Sequence, residues 1–108
     1  MPKADPLKGE ATLGDKLLRM NFRAWRAFEH SSGKKLPHLM LDFGNGLGCD
    51  ELVEWVGAFL VDEADTEQVV DLIDKAGHPK TMMVLGALVA SYFGDLAEAS
   101  SENPPLAA

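Results

Sequence analysis

The sequence predicts a mainly α domain, a compact bundle of four to five helices, and leaves open whether a short N-terminal β-hairpin precedes them. Three observations lead there. Stretches such as DELVEWVGAFLV (50–61) and DTEQVVDLIDKAG (65–77) space their apolar residues at helical rather than alternating intervals. Candidate caps and stops bracket the stretches, with Asn21 and either Asp65 or Thr66 in front, Gly33 and Gly77 behind, and Pro37 and Pro79 at helix-opening positions. The 108 residues, 46% hydrophobic and 25% charged, suit one core and a folded chain.

Taken in order, residues 1–8 hold Pro2 and Pro6 and few apolar groups, so they are expected to be a loose arm; residues 9–96 form the folded domain; residues 97–108 form a small, polar, proline-containing tail. EATL (10–13) and KLLRM (16–20) flank Gly14-Asp15, and glycine at the first central position suits a type II′ hairpin turn. A single helix from Asp15, with Leu17, Leu18, Phe22, Trp25 and Phe28 near one face, is the competing reading. With Asn21 as cap, a helix runs from Phe22 to about His30. Phe22, Trp25 and Phe28 recur every three residues and make a broad aromatic face, while Arg23, Arg26 and Glu29 point elsewhere. Trp25 and Phe28 are expected in the core, and Arg23 and Arg26 in solvent.

A short helix is predicted over PHLMLDF (37–43), followed by a flexible break at GNGLG (44–48). The next helix starts at Cys49 or Asp50 and should bury Leu52, Val53, Val56, Phe59 and Leu60. The one after it should bury Val69, Val70, Leu72, Ile73 and Ala76. The last, from Pro79 to about Phe93, is apolar almost all round and is expected at the centre of the bundle. Its densest run, Met82 to Phe93, falls short of the ~18 residues a membrane span needs. No apolar signal core opens the chain, so a cytoplasmic protein is expected, with no membrane partner.

Catalytic signatures are missing from the sequence. His30, His38, His78 and Cys49 lack the spacing of metal ligands, so no metal site is expected. Asp62, Glu63, Asp65 and Glu67 resemble a calcium loop until the sixth position, where Glu67 replaces the glycine that the turn requires. GNGLG lacks the setting of a phosphate cradle, and Ser31-Ser32 lack an activated nucleophile's turn. Neither a catalytic residue nor a cofactor is expected. Cys49 is the sole cysteine, which excludes an internal disulfide.

Charge is more informative. Residues 1–36 hold eight basic and four acidic side chains, a net +4, and residues 37–108 hold two basic and thirteen acidic, a net −11, giving −7 overall. Four acids dilute the basic end and an acidic body follows it, so no nucleic-acid partner is expected. Simple solvation of the acidic helix faces explains the asymmetry equally well. If the charges lie on opposite faces, copies could associate head to tail through Arg23 and Arg26.

GEATLGDKLLRMNFRAWRAFEHSSGKKLPHLM (9–40) has a short hairpin pattern, then a helix of apolar-x-x-apolar-x-x-apolar-Glu character, then glycine and a short apolar segment, with Phe22, Trp25, Phe28, Glu29, Gly33, Leu36 and Leu39 in those places. This order, followed by two amphipathic helices and a final apolar helix, resembles the tail assembly chaperones of tailed phages and gene transfer agents. The sequence departs from the usual form in its brief second strand and charged first helix. The resemblance implies a non-enzymatic protein of the host bacterial cytoplasm, which keeps the tape-measure protein soluble and helps recruit tail-tube subunits. Arg23 and Arg26, together with Met82, Met83, Tyr92 and Phe93, are the residues assigned to partner binding. An acidic regulatory module for a basic protein is the alternative, and an unrecognised small enzyme a third.

Overall fold

A computed structural model of the chain describes residues 9–94, so the expected arm (1–8) and tail (97–108) lie outside the described residues. The elements are β1 (Glu10–Leu13), β2 (Lys16–Arg19), α1 (Phe22–Ser32), α2 (Leu36–Asn45), α3 (Cys49–Phe59), α4 (Thr66–Ala76) and α5 (His78–Tyr92). This is a mainly α fold with an N-terminal hairpin.

β1 and β2 pair antiparallel, with Glu10 opposite Arg19 and Leu13 opposite Lys16. Gly14 has φ of 62° and among the described residues no non-glycine residue has positive φ, which fits a type II′ turn and not the type I′ that would also need it at Asp15. The hairpin displaces the continuous helix for a reason visible in the burial. Leu18 and Met20 are both buried, and residues two apart share a face in a strand but not in a helix. Across the strands Arg19 Nε donates to Glu10 Oε2 at 2.6 Å. Met20 N–H donates to the Gly9 carbonyl at 2.8 Å, closing the base of the hairpin. Val61 N–H donates to Leu17 O at 3.0 Å and Leu18 bridges Leu60, which ties the chain after α3 onto β2.

Asn21 caps α1 by accepting the Ala24 N–H at 2.8 Å, and Gly33, at φ of 73°, ends it by donating to Glu29 O. The helix runs two residues past the predicted His30. Trp25 and Phe28 are buried, but Phe22 is 73% exposed. Steps of three residues rotate a side chain by about −60° each, so the third aromatic turns out of the core. Glu29 Oε2 accepts the Leu36 N–H at 2.6 Å, which orders the turn into α2.

α2 is longer than the predicted 37–43 and buries Leu39. The glycine-rich break is no mere spacer, because Leu47 within it reaches the core. On α3, Trp55 joins Leu52, Val56 and Phe59 as fully buried, while Val53 and Leu60 are only partly so. Trp55 meets Trp25 edge-on at 5.5 Å and lies 5.0 Å from Phe43, filling the space among three helices.

α4 carries a reciprocal cap, in which Gln68 N–H donates to Asp65 Oδ1 and Asp65 N–H to Gln68 Oε1. Of the expected stripe only Val69 is fully buried. Leu72, Ile73 and Ala76 are partly covered, and Val70 is 38% exposed. The correction is geometric: adjacent Val69 and Val70 point about 100° apart, so one contact face cannot take both. α5 does not occupy the centre. It buries Thr81, Leu85 and Leu88 on one stripe, packs on β1 and α4, and leaves Met83 73% exposed. The aromatic group on α1 and α3 holds the centre instead.

Candidate partner-binding surface

Two helices that cross antiparallel leave a groove where their facing side chains are short. α3 and α4 do so around Gly57, where an added Cβ would sit 3.9 Å from Val69 Cγ2. One end of the groove is a cleft of about 380 Å³ between α1, α3 and α4, with Phe28, Val53, Gly57 and Val69 at its floor and Glu54 and Thr66 at its edge. The other is a cleft of about 340 Å³ lined by Val53, Val70 and Ile73 together with Asp50, Asp74 and His78. Val53 lines both, so the two adjoin as one track, in which apolar side chains are mixed with Ser31, Ser32 and Thr66 at the first end and carboxylates lie along the margin. A third cleft, about 280 Å³, lies beneath the hairpin turn and mixes Asp15, Asp62, Glu63 and Asp71 with Lys16 and Lys75.

The residues assigned to partner binding differ in exposure. Arg23 and Arg26 are exposed on the outer face of α1, beside Phe22. Met83 stands clear of the protein, whereas Met82 packs partly against the core. Tyr92 and Phe93 are half-buried, and their rings lie 6.2 Å from Trp25 and 4.8 Å from each other. They pack against the edge of the aromatic core and stay partly exposed. Sequence reasoning missed the groove, although two signals mark it: glycine inside the amphipathic α3 and the surplus valine of Val69-Val70.

Trp25 Nε1 is buried without a hydrogen-bond partner among the described residues. The ring stands edge-on to Trp55 and, at 4.9 Å, to Phe59, so aromatic faces are the acceptors at hand. Ser31 donates to Phe28 O, and Ser32 Oγ accepts from Lys34 N–H, which are helix-end roles. Lys34 Nζ donates to Asp42 Oδ2 at 2.9 Å, and this hydrogen bond lowers the Asp42 carboxyl from its ordinary 3.8 and raises the Lys34 ammonium. Among the described residues no three or more His, Cys, Asp or Glu side chains group as metal ligands, and no helix is long and apolar enough to cross a membrane. Compared with family models, curated proteins and solved structures, the chain matches none.

Proposed function

We propose that this chain is a tail assembly chaperone, a non-enzymatic protein of the bacterial cytoplasm that keeps a tape-measure protein soluble and helps recruit tail-tube subunits. The observation that supports it is the α3/α4 groove, where Val53, Val69, Val70 and Ile73 lie among polar side chains and Asp50, Glu54 and Asp74 stand at the margin. A long helical client exposes apolar faces before assembly, and such a track covers one of them. The net charge of −7 then keeps the pair in solution. The hairpin followed by helices is also the element order behind the family resemblance.

Co-expression with the tape-measure protein encoded in the same genome tests this reading. The client is expected in the soluble fraction only when the chaperone is present, and Val70→Asp, a change at a partly exposed site, should return it to the pellet. Equal solubility with and without the chain contradicts the proposal. The exposed acids Asp62, Glu63, Asp65, Glu67, Asp71 and Asp74 favour a second reading, an acidic module that binds a basic protein. Binding of that kind would be lost in high salt and indifferent to Val70→Asp.

A further inference from the structure

The outer face of α1 is built unlike the faces around it. Phe22 is 73% exposed at its start, and Arg26, one turn later, is its neighbour at i, i+4. Arg23 flanks both. Neither arginine forms an ion pair among the described residues. An exposed phenylalanine with two guanidinium groups on one side of it, neither ion-paired among the described residues, is an apolar knob with a basic flank.

The cleft at the start of α3 and the end of α4 has the opposite character. Val53, Val70 and Ile73 give it an apolar floor, and Asp50 and Asp74 are carboxylates without ion-pair partners among the described residues. His78 also lines it, but no lysine or arginine does; Lys75 and Lys80 are exposed nearby in sequence and lie outside its lining. No α1 residue lines this cleft, so the two surfaces belong to different parts of the molecule.

We infer that the α1 knob of one copy seats in the α3/α4 cleft of a second copy, with Phe22 over Val53, Val70 and Ile73, and Arg23 and Arg26 against Asp50 and Asp74. Opposed charge steers and orients the encounter, while the phenylalanine supplies the apolar contact. Knob and cleft are different surfaces, so the contact is heterologous. Each bound copy still offers one free knob and one free cleft, and the assembly grows into a ring or a filament. One helix face against one groove lies at the small end of specific interfaces, below about 1,200 Å² in total, so the association is weak and concentration-dependent. The second copy takes the same cleft as the proposed client, so the two compete for it; the self-contact is read without a client present, and its failure leaves the chaperone reading standing.

Sedimentation velocity of the full chain tests it, in about 0.01 M salt, where charges act over about 30 Å, and in about 1 M, where the range is about 3 Å. The sedimentation coefficient is expected to rise with concentration in low salt and to stay at the monomer value in high salt. Two variants separate the surfaces: Phe22→Ser with Arg26→Ser removes the knob, and Asp50→Asn with Asp74→Asn removes the acids of the cleft. All four positions are exposed, and circular dichroism checks that both variants remain folded. Each alone should be monomeric. Mixed in equal amounts they should form a heterodimer and nothing longer, because one intact knob and one intact cleft remain. A wild-type chain that stays monomeric up to about 1 mM overturns the proposal. So does association that persists in high salt or in either variant alone, or a mixture that stays monomeric.

Discussion

Trp25 and Phe22 lie three residues apart on one helix and have opposite fates. Trp25 is packed against Phe28, Trp55 and Phe59, so Trp25→Ala should cost about 3–5 kcal/mol in urea unfolding, the range for emptying an aromatic site. Phe22 is largely in solvent, and Phe22→Ala should change stability by less than about 0.5 kcal/mol. Comparable losses for both would contradict the placement of α1. The burial of Trp25 and Phe28 was legible from their spacing, whereas the exposure of Phe22 was not, because periodicity gives relative angles and not the edge of the contact face. Trp55 was missed for the converse reason. It falls at the margin of the aliphatic stripe of α3 and is drawn in only because aromatic rings arrive from α1 and α2.

At the level of elements, capping chemistry was the most readable part. Asn21, Gly33, the Asp65–Gln68 pair and Gly77 all stand at helix ends, since they satisfy backbone groups locally whatever the tertiary fold. The hairpin was ambiguous because LLRM followed by a capped helix also fits helical spacing, and pairing with residues 60 and 61, distant in sequence, decides it. Gly9 is a direct probe of the hairpin base, where it pairs with Met20. It has φ of 72°, and an added Cβ would lie 2.6 Å from Met20 O. Gly9→Ala should therefore lower stability by roughly 1–3 kcal/mol, the cost of a strained backbone, with loss of signal from the strand. A neutral effect would mean that the hairpin base is open. The join between α1 and α2 carries a pH dependence. The Asp42 carboxyl is lowered below 3.8 chiefly by the Lys34 hydrogen bond, so its contribution is present above that value and is lost as pH falls through the lowered folded value. The pair is partly exposed to solvent, which screens it, and its effect is small. Asp42→Asn should flatten the acid limb of a melting-temperature profile below about pH 5 while leaving its neutral region nearly unchanged. An unchanged acid limb would contradict the link.

Across the whole molecule, composition pointed to one acidic domain and to a division of charge between its parts, but not to where apolar surface stays open. The final helix, apolar on nearly every side, was expected at the centre, yet Met83 lies in solvent while the uncovered track runs between α3 and α4. The outward side of α5 carries Lys80, Ala87 and Ala90 beside Met83, so apart from Met83 it leaves little apolar area open, whereas burial favours enclosing the bulky rings of Trp25, Phe28, Trp55 and Phe59. The central claim is that the protein works through that track. It is tested most directly by methyl NMR of the full chain, titrated with a purified helical segment of the tape-measure protein from the same genome. The account predicts saturable shifts of Val53, Val69, Val70 and Ile73 methyls, with Met82 and Met83 nearly still. Shifts centred on Met82 and Met83 with the track valines unmoved, or no shifts at all, would contradict it.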